Sequence, residues 1–144
     1  MSKVREAMVP EPRTLDAATP ATEAGELLAR EEVRAVFVSR DGHFLGVLTR
    51  KTLVREVVAP GLDPKTTTVG EIAEPPHYTI DPEVPLEDAF RFLETEDAER
   101  VPVVDDQGRL VGVLSRSVLQ RRLAEDEEPP QGDEDEPPEL PPAA

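Results

Sequence analysis

LGVLTRKTLV at residues 45–54 and VGVLSRSVLQ at residues 111–120 say nearly the same thing, 66 residues apart. Each phrase opens as a β-rich run, reaches a hydroxyl residue, Thr49 or Ser115, and continues as a sequence able to form a helix. A hydroxyl just before a helix accepts from an N–H group that the first turn leaves without a partner. The phrase therefore predicts a strand running into a capped helix, twice in one chain.

The duplication extends outward from there. Val4–Met8 opens the first half and Val69–Ala73 the second. Short extended pieces follow, Arg13-Thr14-Leu15 and Tyr78-Thr79-Ile80, and each is succeeded by an aspartate, Asp16 or Asp81. Pro20 and Pro85 then mark helix starts, where a missing N–H costs nothing. Leu86, Ala89, Phe90 and Leu93 fall at i, i+3, i+4 and i+7, and Ala21, Ala24 and Leu28 repeat the stripe, so each helix has one apolar face. The runs Ala35–Val38 and Val101–Val104 read as strands, and the turns Arg40-Asp41-Gly42 and Asp105–Gly108 join them to the return strands 44–48 and 110–114. Second helices are predicted over 50–58 and 116–124.

Each half thus reads helix–strand–helix–strand–strand–helix, with an offset of 65 residues before the hairpin's first strand and 66 after it. The spacing exceeds the roughly 20–50 residues of a solenoid repeat. A unit of this size has little interior of its own. Two such units laid sheet against sheet, sharing one core, would resolve that. The predicted fold class is α+β in two layers, with two pseudo-symmetric motifs at 1–59 and 69–124, a linker at 60–68 and a disordered acidic, proline-rich tail at 125–144.

Charge narrows the function classes. The chain of 144 residues carries 31 acids against 16 bases, a formal net charge of −15, and no cysteine. The stretch from Glu125 onward lacks Lys and Arg entirely, and its acids and prolines offer little to bury. Neither this stretch nor the remainder has the basic face of a nucleic-acid binder, and the acidity opposes docking to anionic lipid. No apolar run approaches the length of a membrane span, and MSKVREAMVPEP lacks the apolar core of a secretory signal. A cytoplasmic protein is expected. His43 and His77 belong to no metal-binding spacing, and no glycine-rich phosphate loop occurs, so an enzyme is not expected.

The residues Val4–Met8, Thr14-Leu15-Asp16, Pro20–Leu28, RAVFVSRDGHFLGVLTR and ERVPVVDDQGRLVGVLSR resemble the CBS-domain family, as a tandem pair forming one Bateman module. The resemblance covers about residues 3–124. It implies a cleft between the motifs that takes AMP, ADP, ATP, S-adenosylmethionine or a cyclic dinucleotide as a regulatory ligand rather than an obligatory cofactor. It also implies a homodimer, parallel or antiparallel, and a regulated protein acting in trans. In the family a hydroxyl on the first extended piece, the hairpin strands, and a hydroxyl followed three residues later by aspartate surround the nucleotide.

Carried onto this chain, the resemblance puts the hydroxyl roles on Thr14, Thr79, Thr49 and Ser115. The hairpin roles fall on Val36, Val38, Arg100, Pro102 and Val104. Tyr78 is a candidate to stack on a base, and Arg50 and Arg116 are candidates to meet phosphate. Where the family has its ribose-binding aspartate, this chain has Thr52 and Val118. A carboxylate can accept two hydrogen bonds from vicinal hydroxyls, a threonine holds one less firmly and a valine none. Two functions follow: a sensor of an adenine nucleotide, or a ligand-free pair serving dimerisation and protein interaction.

Overall fold

The computed structural model describes residues 2–10 and 12–127; the stretch from Glu128 onward, most of the expected tail, lies outside the described residues. The chain opens with a 3-10 turn at Val4–Glu6, then strands β1 (Val9–Pro10) and β2 (Thr14–Asp16). Helix α1 (Ala21–Leu28) and the hairpin β3 (Val36–Arg40) and β4 (His43–Leu48) follow. Helix α2 (Arg50–Leu53) continues as a π-helical turn at Val54–Val58. The second half holds α3 (Val69–Ile72), α4 (Leu86–Thr95), β5 (Arg100–Val104), β6 (Leu110–Ser115) and α5 (Arg116–Glu127). Helix α5 runs three residues into the segment assigned to the tail. Glutamate is a good helix former and the first prolines come only at Pro129 and Pro130.

The expected stripes are the buried ones: Ala21, Ala24 and Leu28 on α1, and Leu86, Ala89 and Leu93 on α4. In the first hairpin Asp41 and Gly42 both take positive φ, 52° and 81°, the two-residue turn whose twist suits antiparallel strands. Alternation along the strands sends Val36, Val38 and Leu48 to one core and Val101, Val103 and Leu114 to another. The opposite faces look toward each other, since Phe37 of β3 and Val113 of β6 line one cleft. At the hairpin ends, the Phe44 amide donates to the Gly108 carbonyl at 2.9 Å.

Sheet faces sheet as expected, but the single shared core is not what forms. There are two buried clusters, one per motif. The motifs are joined by a reciprocal exchange of their opening segments. Val4 is buried in the second motif's cluster, and Val69 and Ile72 in the first's. The hydrogen bonds repeat across the pseudo-symmetry. The Val4 amide donates to the Val84 carbonyl at 2.9 Å, and the Val69 amide to the Thr19 carbonyl at 2.8 Å. Strand β1 adds antiparallel to β6, giving the order β1-β6-β5, while β2 lies parallel to β3 in the order β2-β3-β4. Glu74 bridges antiparallel to Val47, as Val9 does to Val113.

The exchange explains two sequence features. Pro20 and Pro85 stand at the cap position, one residue before the helix, rather than inside it. The next amides, of Ala21 and Leu86, donate to the carbonyls of Thr67 and Ser2 on the exchanged segments, at 2.7 and 3.0 Å. Gly46 and Gly112 are where those segments come close. A methyl on Gly46 would collide with the Glu74 carbonyl, and one on Gly112 would lie 2.9 Å from the Val9 carbonyl and 2.6 Å from the Met8 sulfur. The glycine of each repeated phrase admits the opening segment of the other motif.

Candidate ligand clefts between the motifs

Two clefts open between the motifs. The first, of 260 Å³, is lined by Arg13, Val33, Phe37, Arg100 and Val113 among others. The second, of 220 Å³, is lined by Val47, Glu74, Pro75, Pro76, His77, Tyr78, Arg100 and Pro102. Arg100 begins β5 and lines both clefts. Pro75, Pro76 and Pro102 give the second cleft rigid apolar walls. Tyr78 is half-buried there, its ring meeting Phe92 edge-on at 5.3 Å between centroids.

The capping hydroxyls have a local explanation. Thr49 Oγ1 accepts from the Thr52 amide at 3.3 Å, and Thr52 Oγ1 accepts from the Thr49 amide at 3.2 Å. This reciprocal box satisfies two otherwise orphan donors at the start of α2. Thr52, in the aspartate's place, is 1% exposed. Ser115 Oγ accepts from the Val118 amide at 3.3 Å and lies 3.0 Å from Ser117 Oγ. Val118 has no group with which to return the bond.

Beside Thr52 stands a carboxylate that sequence reasoning missed. Thr52 Oγ1 donates to Glu74 Oε1 at 3.5 Å, and Arg55 lies 3.1 Å from Glu74 Oε2. Hydrogen bonding to Glu56, and then the charge of Glu74, raise the Arg55 pKa above its ordinary value. Glu74 is half-exposed and lines the second cleft, as Arg100 does. The 65-residue offset pairs it with apolar Val9, so comparison of the halves gives no sign of it. The exchanged strand brings it in, and the backbone pairing with Val47 fixes it there.

Other predicted residues are placed as follows. Val36 and Val38 are both fully buried in the first core, and strand alternation turns the intervening Phe37 to the cleft. Arg50 donates to the carbonyls of Arg30 and Val33 at 2.7 and 2.9 Å, just past the end of α1. Arg116 lies 3.6 Å from Asp97 and 3.9 Å from Glu99. Thr14 is exposed and donates to the Pro12 carbonyl at 2.8 Å. Thr79 is exposed and Val104 half-buried, neither lining the two clefts. Tyr78, Arg100 and Pro102 are brought together. Among the described residues no cluster of His, Asp and Glu is arranged to hold a metal, and no helix is long and apolar enough to cross a membrane.

Two small α+β motifs, exchanged at their openings and enclosing clefts between their sheets, define a class of paired module. The CBS domain profile matches residues 4–59 and 69–125, and the chain belongs to the CBS-domain family as a tandem pair. Hypoxic response protein 1 of Mycobacterium tuberculosis (strain ATCC 25618 / H37Rv) is 31% identical over 105 residues, 72% of this chain and 73% of that protein. The crystal structure of Hypoxic Response Protein I with two coordinated zinc ions superposes with a TM-score of 0.72 at 27% identity, covering 85% of this chain and 99% of that one. The structure of CBSX2 in complex with AMP gives 0.69 at 25% identity, covering 89% and 100%.

Proposed function

We propose that this CBS pair is a regulatory module that binds an adenine ribonucleotide in the second cleft and signals to a partner protein. The observation that carries the reading is the composition of that cleft. Prolines and Tyr78 offer flat apolar surface for a base, the Glu74 carboxylate offers acceptors for a ribose diol, and Arg100 offers a cation for phosphate. The CBSX2 complex with AMP supports the choice of ligand class. A ligand held by Arg100 touches both motifs, and it shifts their packing by the difference in its affinity for the two arrangements. The module acts as a homodimer, in the cytoplasm, and regulates rather than catalyses.

The test is melting temperature against AMP, ADP, ATP, S-adenosylmethionine and cyclic dinucleotides, followed by calorimetry. At 100 times its dissociation constant a ligand stabilises by about 2.7 kcal/mol. A saturable shift with one adenine compound is expected, weakened by Glu74→Ala and by replacing the ribonucleotide with its 2′-deoxy form. No shift with any compound would overturn the reading. It would favour the alternative of a pair without ligand, serving protein interaction, for which Val118 and the buried Thr52 in the carboxylate positions are the evidence.

A further inference from the structure

The first cleft gathers positive charge in an acidic chain. Arg13 stands just before β2, Arg34 lies shortly before β3, and Arg100 opens β5. All three line that cleft, where Glu32 is the acid among the lining residues. Their side chains are exposed, and among the described residues their guanidinium groups make no ion pair. Other arginines are already engaged: Arg116 with Asp97 and Glu99, Arg122 with Glu6, and Arg55 with Glu56 and Glu74. Like charges around one cleft repel until an anion is placed among them. Phe37 and Val113 add an apolar wall.

An anion of matching chemistry belongs to the same chain. From Asp133 to Pro142 the sequence runs DEDEPPELPP: five acids, four prolines, one leucine and no base. Carboxylates suit guanidinium groups, which donate through a planar fork. Proline-rich segments suit aromatic-lined grooves. The reach is sufficient. Ser115 pairs with Arg100 across β6 and β5, so α5, which starts at Arg116, begins beside the cleft. Its 12 residues carry the chain about 18 Å away. From Glu127 it is six residues to Asp133 and twelve to Glu139, roughly 20–40 Å of extended chain. Tethering also holds the segment at an effective concentration on the order of millimolar.

We propose that Asp133–Pro142 docks in the first cleft of its own chain, its carboxylates on Arg13, Arg34 and Arg100 and Leu140 against Phe37. Arg100 lines the second cleft as well. A nucleotide phosphate there and the tail in the first cleft therefore compete for one guanidinium. Nucleotide binding releases the tail, and the released acids become a surface for the partner protein. The docking stands on the arginines and the acidic segment; the competition rests on the nucleotide reading above.

The test uses the full chain, which has no native cysteine. A nitroxide on Ala143→Cys broadens the amide resonances of residues near the docked segment. Broadening is expected at Arg34, Phe37 and Val113, fading at about 1 M salt, where the screening length is about 3 Å. Arg13→Gln combined with Arg34→Gln is expected to abolish it; both side chains are exposed, so no core is disturbed. Persistence in that variant would overturn the role of the arginines. No broadening, or broadening centred on α5, would overturn docking in the cleft. Broadening passed from a labelled chain to a separate, isotopically enriched one would put the tail on another copy and overturn the intramolecular contact. Asp133→Asn, Glu134→Gln, Asp135→Asn and Glu136→Gln together are expected to raise nucleotide affinity several-fold, and unchanged affinity would overturn the competition. A chain that binds no nucleotide overturns the ligand reading instead, while the broadening still decides the docking.

Discussion

Thr52, which stands where the family has its aspartate, has a local task. Its hydroxyl closes the capping box with Thr49 and leans on Glu74, while 1% of the residue is exposed. Thr52→Val is expected to cost about 1 kcal/mol, the usual worth of a cap, read as a lowered denaturation midpoint. Nucleotide affinity is expected to remain within error. Glu74→Ala behaves oppositely, with affinity falling more than stability, because Glu74 is half-exposed and lines the cleft. If Thr52→Val abolished binding at unchanged stability, the ligand contact would belong to Thr52. The hydroxyls and their spacing were legible because capping is local. Glu74 was not, because the repeat pairs it with Val9 and only long-range strand pairing brings it beside Thr52.

At the scale of elements, periodicity identified the buried stripes of α1 and α4 and the hairpins, since alternation and 3.6-residue spacing are properties of one segment. It could not say which core the opening segments join. Val4–Glu6 and Val69–Ile72 are a 3-residue turn and a 4-residue helix, too short to be stable by themselves. They hold because Val4, Val69 and Ile72 are buried in the opposite motif, where a fully buried aliphatic side chain contributes about 1.5–3 kcal/mol. The first segment also has an electrostatic clasp. Glu83 receives a hydrogen bond from Lys3 at 2.9 Å and another from Arg5. Chiefly the Lys3 bond, then the Arg5 bond, hold its carboxyl below the ordinary glutamate value of 4.5. A depressed folded pKa means stabilisation that is complete above the unfolded value and is lost as pH falls through the folded one. Hydrogen exchange at the Val4 and Arg5 amides is therefore expected to accelerate as pH drops below 4.5 relative to the intrinsic rate. Glu83→Gln is expected to remove that dependence while leaving the one from Asp105, whose carboxyl is lowered by the Arg109 and Gln107 amides. An unchanged profile in Glu83→Gln would place the acid sensitivity elsewhere.

At the scale of the molecule, the exchange makes each motif incomplete in a defined way. A fragment ending at Leu62 keeps α1, the first hairpin and α2, but lacks Val69 and Ile72 from its own core. It also carries Val4 and β1, whose partners are in the other half. The complementary fragment from Asp63 lacks Val4, and β6 loses the strand along its outer edge. An unpaired edge and an opened core favour aggregation over folding in a unit so small. Each fragment alone is therefore expected to lack a cooperative melting transition and to bind dyes for exposed apolar surface. Mixed in equal amounts, the two are expected to recover the transition of the parent cut between Leu62 and Asp63. That recovery tests the exchange itself, because motifs with independent cores would each melt cooperatively alone and gain nothing on mixing. The same dependence would give the proposed ligand of the second cleft its leverage. Arg100 lines both clefts and the exchanged segments tie each core to the other motif, so a shift of one motif against the other strains both cores together.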